Sequence, residues 1–270
     1  MVLFLFFLSL FWIIAATIED FKKKEIENWI SFSLIIFALG FRFFHSLFFE
    51  DFNFFYQGIF GLLAFFIIGN VFYYSRFFAG GDSKLFMSLG PIIFLSLDLK
   101  NNLSLTLFFL VLFFVISAIY IIIASTYLAF KNSKKTIKEF KKQFEYNKKN
   151  IYAILIFSLI LMVFGLIFFE FLFFLGFLFF LLPYFFILLK SIEEACLIKK
   201  IDTKNLTEGD WLYEDVKIGR NTIKKSWHGL TKKEINLIRK KYKKIKIKEG
   251  IPFTPTFLIS IVIFFLLKVF

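Results

Sequence analysis

Apolar runs of membrane length recur along this 270-residue chain and limit its possible folds more than any single motif does. A bilayer core of about 30 Å takes about 20 apolar residues to cross as a helix. Against that length the sequence predicts spans over roughly 1–18, 29–48, 54–75, 85–98, 103–130, 151–169, 171–189 and 253–270. The expected fold class is therefore an all-α integral membrane protein. It is a polytopic helical bundle of about eight transmembrane helices, with a small cytoplasmic segment before the last one. Composition points the same way, since 59% of the residues are hydrophobic and 47 are Phe, too many for a soluble domain of this length. The first eighteen residues lack a basic start and lead into Glu19-Asp20 and three lysines, so an uncleaved span is expected there rather than a signal peptide.

The charges arrange these spans. Lys and Arg fall mostly between apolar runs, so the positive-inside rule accounts for the net charge of +13, and no nucleic-acid partner is expected. With the N-terminus outside, the inside loops are 19–28, 76–84, 131–150 and 190–252, and they hold most of the lysines. The outside loops, 49–53, 99–102 and around 170, hold Glu50, Asp51, Lys100 and Glu170. Region 151–189 has twice the length of one span, and lysines at both ends favour a hairpin with Glu170 at its far surface. The expected organisation is a membrane core over 1–130, a basic cytoplasmic loop over 131–150, the hairpin over 151–189, a cytoplasmic segment over 190–252 and a final helix over 253–270. Within 190–252, Thr231 and Glu234 have capping-box spacing ahead of Ile235 and Ile238, which predicts a helix.

Two acids stand at the mouths of spans on the predicted cytoplasmic face: Asp20, before Lys22 to Lys24, and Asp82, after Gly80-Gly81. Taken alone, each has an ordinary explanation. Asp82 suits a helix N-cap, and Asp20 suits the solvated end of a span. Together they can share a proton, the ionised one activating a water and the protonated one donating to a carbonyl oxygen, which is the chemistry of peptide-bond hydrolysis. Gly80 and Gly81 suit close approach of an extended substrate backbone and backbone angles closed to other residues. Metal or thiol chemistry is not indicated. Cys196 is the single cysteine, and His45 and His228 have no ligand spacing.

The residues around these acids carry a family resemblance. Asp20-Phe21-Lys22-Lys23-Lys24-Glu25-Ile26-Glu27-Asn28 resembles the Asp-apolar-basic pattern ending in Ile-Pro-Asn of type IV prepilin peptidases, with Glu27 in place of the proline. Ala79-Gly80-Gly81-Asp82-Ser83-Lys84 resembles their Gly-x-Gly-Asp-x-Lys motif, with Ala79 for the first glycine. Leu206 to Leu212, Gly229-Leu230-Thr231 and Lys248 to Phe253 resemble the C-terminal region of archaeal prepilin and preflagellin peptidases. The resemblance implies an aspartic endopeptidase of the cell membrane that cuts the short basic leader of prepilin or preflagellin (prearchaellin) precursors at the cytoplasmic face. Asp20 and Asp82 would be the catalytic acids, and Gly80, Gly81, Lys84 and Asn28 would belong to the motif and substrate cleft. It implies no cofactor or metal, and without the four-Cys loop of methylating members no methyltransferase activity.

Other residues admit two readings. Lys84 orients Asp82 or anchors the span end by snorkelling. Glu19, Glu25 and Glu27 attract a basic leader or only balance the lysines. Glu208, Asp210, Glu214 and Asp215 form a substrate surface or dock against 131–149. Asn102-Leu103-Ser104 fits a glycosylation sequon on the outside face. Two alternative functions remain: a transporter or channel using membrane acids, which predicts acids at mid-span, and a non-catalytic scaffold whose basic face binds anionic lipid.

Overall fold

The computed structural model describes residues 1–218, 221–226 and 228–268. The chain is a helical polytopic membrane protein and divides into two compact units, 1–121 with 252–270, and 122–251.

The first unit opens with three 22-residue helices, α1 (Val2–Lys23), α2 (Asn28–Phe49) and α3 (Asn53–Tyr74), whose ranges match the first three expected spans. Each places a narrow stripe inside, Leu5, Ile13 and Ala16 on α1, Ile30 and Leu34 on α2, and Phe65 on α3, and leaves the other apolar faces exposed, as a lipid-facing helix must.

The fourth apolar segment differs from the expected span over 85–98. It forms α4 (Gly80–Ser88) and the single turn α5 (Gly90–Ile93). Pro91 cannot donate a backbone hydrogen bond and breaks the run at Leu89-Gly90. From Gly80 to Ile93 the segment rises only about 20 Å at 1.5 Å per residue, short of a bilayer core. Two devices hold it in place. A Cβ added to Gly61 would sit 2.4 Å from the Gly90 carbonyl oxygen, and one added to Gly90 2.2 Å from the Gly61 oxygen, so α3 and α5 meet backbone to backbone. Arg42 of α2 is fully buried and donates from Nε to the Pro91 carbonyl (2.7 Å), from Nη1 to that of Phe54 (2.7 Å) and from Nη2 to that of Phe94. Its guanidinium also lies 4.1 Å over the Phe54 ring.

Helix α6 (Leu99–Lys131) follows, and its Phe109 and Phe113 join the core beside Phe86. Near its start Asn102 is fully buried, with Nδ2 donating to Gln57 Oε1 and to the Ser96 carbonyl. The sequon reading of Asn102 is thereby overturned, because this amide is enclosed and committed.

In the second unit, α7 (Ser133–Ile167) and α8 (Glu170–Ile192) form the expected hairpin, turning at Phe168-Phe169 just before Glu170. Gly165 and Gly176 face Phe173 and Met162 so closely that neither position has room for a Cβ, which lets the helices approach closely. The segment expected as a loop over 131–150 is instead the first half of α7. Lysine and glutamate are good helix formers, and Lys142–Glu139 and Lys148–Glu145 pair one turn apart.

A π-helical turn over Glu193–Leu197 leads into a small mixed region that was expected only as one helix in a cytoplasmic segment. Strands β1 (Ile198–Asp202), β2 (Trp211–Leu212), β3 (Val216–Ile218), β4 (Asn221–Ile223) and β5 (Lys244–Lys248) make an antiparallel sheet in the order β1-β5-β2 and a β3-β4 hairpin. Helix α9 (Lys232–Lys241) starts at the predicted capping box, the Thr231 hydroxyl accepting from the Glu234 amide while the Glu234 carboxylate accepts from the Thr231 amide. Leu212, Val216, Ile235, Ile238, Ile245 and Ile247 close a separate core. The four acids of the expected surface cluster are spent locally: Glu208 pairs with Lys232, Glu214 with Lys246, and Asp210 and Asp215 accept from the Thr207 and Lys225 amides.

The chain returns to the first unit as α10 (Thr254–Lys268), part of the span expected over 253–270; residues 269 and 270 lie outside the described residues. It packs along α1, with Phe257, Ile261, Phe264 and Phe265 fully buried. By length and composition, α1, α2, α3, α6, α7 and α8 qualify as membrane spans, and α10 is a shorter apolar helix.

Candidate active site

Asp20 lies in the last turn of α1, which closes when Lys24 adopts a left-handed conformation (φ 58°) and its amide donates to the Asp20 carbonyl. An acid in that position would normally face water. Here it is buried, and α10 provides for it: Oδ2 accepts from the Phe253 amide at 2.9 Å, the Thr254 amide at 3.1 Å and the Thr254 hydroxyl at 2.9 Å. The carboxylate thus sits on the N-terminal end of a helix, where free amides and the helix dipole both favour negative charge. The turn supplying these donors is itself tied down, since the Tyr120 hydroxyl of α6 donates to the Pro252 carbonyl at 2.8 Å.

Asp82 is half-buried in the first turn of α4. It is not the N-cap expected from Gly-Gly-Asp. Ala79 holds that position, and Asp82 stands three residues on, in the first turn of the helix. Asp82 precedes the apolar stretch that begins at Leu85. Its carboxyl is raised above the usual carboxylate range, first by loss of water and then by the negative charge of Asp20, with the Ala79 amide pulling the other way. The two acids of the sequence reading are therefore brought within electrostatic reach of each other.

The remaining motif residues are divided between structure and cleft. Gly80 and Gly81 are ordinary helical residues, so left-handed backbone freedom is not their use; their lack of side chains is. A Cβ on Gly81 would meet Ile26 at 3.2 Å, which lets α4 start against the loop that follows Asp20. Gly80 lines a cavity of about 390 Å³ between α2, α3 and α4, together with Ser31, Asn70, Tyr73 and Lys84. The Ser31 hydroxyl is buried there without a hydrogen-bond partner among the described residues. Lys84 Nζ donates to Asn28 Oδ1 at 2.7 Å, so the two outlying motif residues pair with each other and pin α4 to the start of α2. Glu19 and Glu27 are also engaged locally, Glu19 accepting from the Glu27 amide and Glu27 pairing with Lys23. Among the described residues no cluster of His, Cys, Asp and Glu has metal-binding geometry.

Phe253 and Thr254, which supply the donors to Asp20, were not singled out in the sequence. Pro252 and Pro255 mark a helix start there, but no local pattern pairs that start with an acid so far away in the chain.

Fold and site together define a polytopic helical membrane protein with two acids at helix ends, within electrostatic reach of each other. In comparison with known proteins, residues 6–124 match the model of the type IV leader peptidase family. Over 81 residues, 30% of the chain, it is 31% identical to the preflagellin peptidase of Methanococcus maripaludis, covering 35% of that protein. Over 81 residues it is also 35% identical to the preflagellin peptidase of Methanocaldococcus jannaschii, covering 34% of it. The matched stretch thus spans about a third of the length of these curated relatives. No solved structure matches the chain. The family match over residues 6–124 includes the motifs around Asp20 and Asp82.

Proposed function

We propose that this protein is a membrane aspartic endopeptidase that removes the short basic leader from preflagellin or prepilin-like precursors at the cytoplasmic face of the cell membrane. The observation that carries the reading is that Asp20 and Asp82 stand at helix ends within electrostatic reach, the charge of Asp20 acting on the Asp82 carboxyl. The likeness to preflagellin peptidases supplies the substrate class.

In such a pair, one carboxylate takes a proton from water as the water oxygen bonds to the scissile carbonyl carbon, and the other gives its proton to the carbonyl oxygen. Collapse of the resulting diol breaks the C–N bond and sends a proton to the leaving amine. The cavity beside Gly80, with the unpaired Ser31 hydroxyl, would receive the substrate segment next to the scissile bond. The charge pattern of the loops supports the cytoplasmic side for this chemistry.

The reading is tested by incubating the purified full chain, in detergent or liposomes, with a preflagellin and following leader removal by mass. Cleavage at a single bond between leader and mature protein supports it. An intact precursor after prolonged incubation refutes it.

A further inference from the structure

We propose that the cavity between α2, α3 and α4 is a directional subsite: it takes apolar residues on the mature side of the scissile bond, and Lys84 at its polar end keeps the basic leader out. The inference rests on the endopeptidase reading and adds to it which part of the precursor the cavity holds.

The first observation is the lining. The residues nearest the helix ends are polar: Ser31 three positions into α2, Asn70 four before the end of α3, and Lys84 four into α4. Leu62, Phe66 and Met87 line the cavity farther along the same elements. Leu62 stands about 18 Å from the end of α3 at 1.5 Å per residue, so the cavity runs from a polar mouth toward the middle of the span. Its α3–α4 wall is firm. The Ser83 hydroxyl donates to the Gly69 carbonyl at 2.8 Å, and a Cβ on Gly69 would meet Met87 at 2.7 Å.

The second observation is charge. Lys84 Nζ donates to the Asn28 amide oxygen, and no carboxylate pairs with it among the described residues. Another cation brought beside it meets like charge in a largely apolar pocket, which is penalised. A basic leader is refused on that ground, and an uncharged apolar segment is not. The buried Ser31 hydroxyl, which lacks a hydrogen-bond partner among the described residues, can serve one backbone group of that segment and so lose the cost of standing unpaired.

The third observation is the place of the acid. Gly80, Ser83, Lys84 and Met87 line the cavity at three- and four-residue spacing, which puts them on one face of α4. Asp82, about 200° round the helix from Gly80, stands outside that lining. A helix is about 10 Å across, and an extended chain covers about 3.3 Å per residue. The segment held in the cavity therefore begins about three residues past the bond that Asp82 reaches. Gly80 is the bare rim between them, since a Cβ there would find its nearest atom 3.8 Å away on Tyr73 and a substrate backbone can lie across it. Lys84 is accordingly a specificity-determining residue.

Exchange of charge between precursor and enzyme tests this in the full chain, reconstituted in liposomes. A preflagellin carrying a lysine at the third or fourth residue after the bond should show a KM about tenfold above that of the parental precursor. An extra lysine in the leader should not raise it. Lys84→Glu should take the precursor with the mature-side lysine at a lower KM than the parental enzyme does, a rescue that loss of the Asn28 contact alone cannot give. An equal penalty with both enzymes, or one produced by the leader lysine, overturns the inference while cleavage itself, and with it the endopeptidase reading, stands. A second readout needs no turnover. With a photoreactive residue at Phe66 in the Asp20→Asn chain, crosslinks should map to the mature part of the precursor. Crosslinks to the leader, or to lipid alone, overturn the assignment.

Discussion

Thr254 and Asp20 are 234 residues apart in the chain and meet hydroxyl to carboxylate at 2.9 Å. Through that contact the last described helix becomes part of a site whose two acids come from the first third of the sequence. Its consequences, and those of the packing around it, can be measured.

The pH dependence of cleavage follows from the pair. The active form holds one proton between two carboxyls, so activity rises as the first proton leaves and falls as the second does. Because the Asp82 carboxyl is raised, the descending limb of kcat/KM should lie well above the ordinary carboxylate range of about 4. A profile already falling in that range would contradict a raised Asp82.

Among the described residues Arg42 has no acidic partner; its guanidinium serves three carbonyls around the short α4–α5 segment. Arg42→Leu strands those acceptors and should destabilise the protein by on the order of 3 kcal/mol. Arg42→Lys, which lacks the planar fork, should recover only part of the loss. Thermal unfolding in detergent measures both.

Gly61 and Gly90 touch through their backbones, and a methyl on either meets a carbonyl oxygen inside 2.5 Å. Gly61→Ala should therefore cost about 1–3 kcal/mol by forcing α3 and α5 apart. The same substitution at Gly40, where a Cβ meets nothing within 4 Å, should leave the melting temperature unchanged or slightly raised.

The cavity between α2, α3 and α4 has room at Gly80 for a first carbon, the nearest atom being 3.8 Å away on Tyr73. Gly80→Leu would then fill the cavity rather than disrupt the helix. If the cavity receives substrate, KM should rise about tenfold or more with a smaller change in kcat. A kcat loss at constant KM would mean that the cavity is not a binding site.

What the sequence reveals follows the range of the forces involved. Membrane burial is local and one-dimensional, so the apolar runs alone locate α1, α2, α3 and the α7–α8 hairpin. The Thr231–Glu234 capping box is local too and is present as expected. Lys244-Ile245-Lys246-Ile247-Lys248 alternates strictly and forms β5, but its lysines also fit a basic solvent-facing segment, and its partners β1 and β2 lie more than thirty residues away in the chain. The break at Gly90-Pro91 is visible in the residues, yet its apolar flanks give it the composition of a span. Asp20 and Asp82 stand out because each carries a motif. The donors to Asp20 do not, since two backbone amides have no side-chain signature and Thr254 is one of ten threonines.

The most direct measurement is the rate of preflagellin cleavage by Asp20→Ala, Asp82→Ala and the double variant, at matched amounts of folded protein. If the two acids work as one unit, each single substitution costs about a thousandfold or more, and the double costs no more than the worse single. Parental activity in either single variant, or losses that multiply in the double, would show that Asp20 and Asp82 do not act together on the scissile bond.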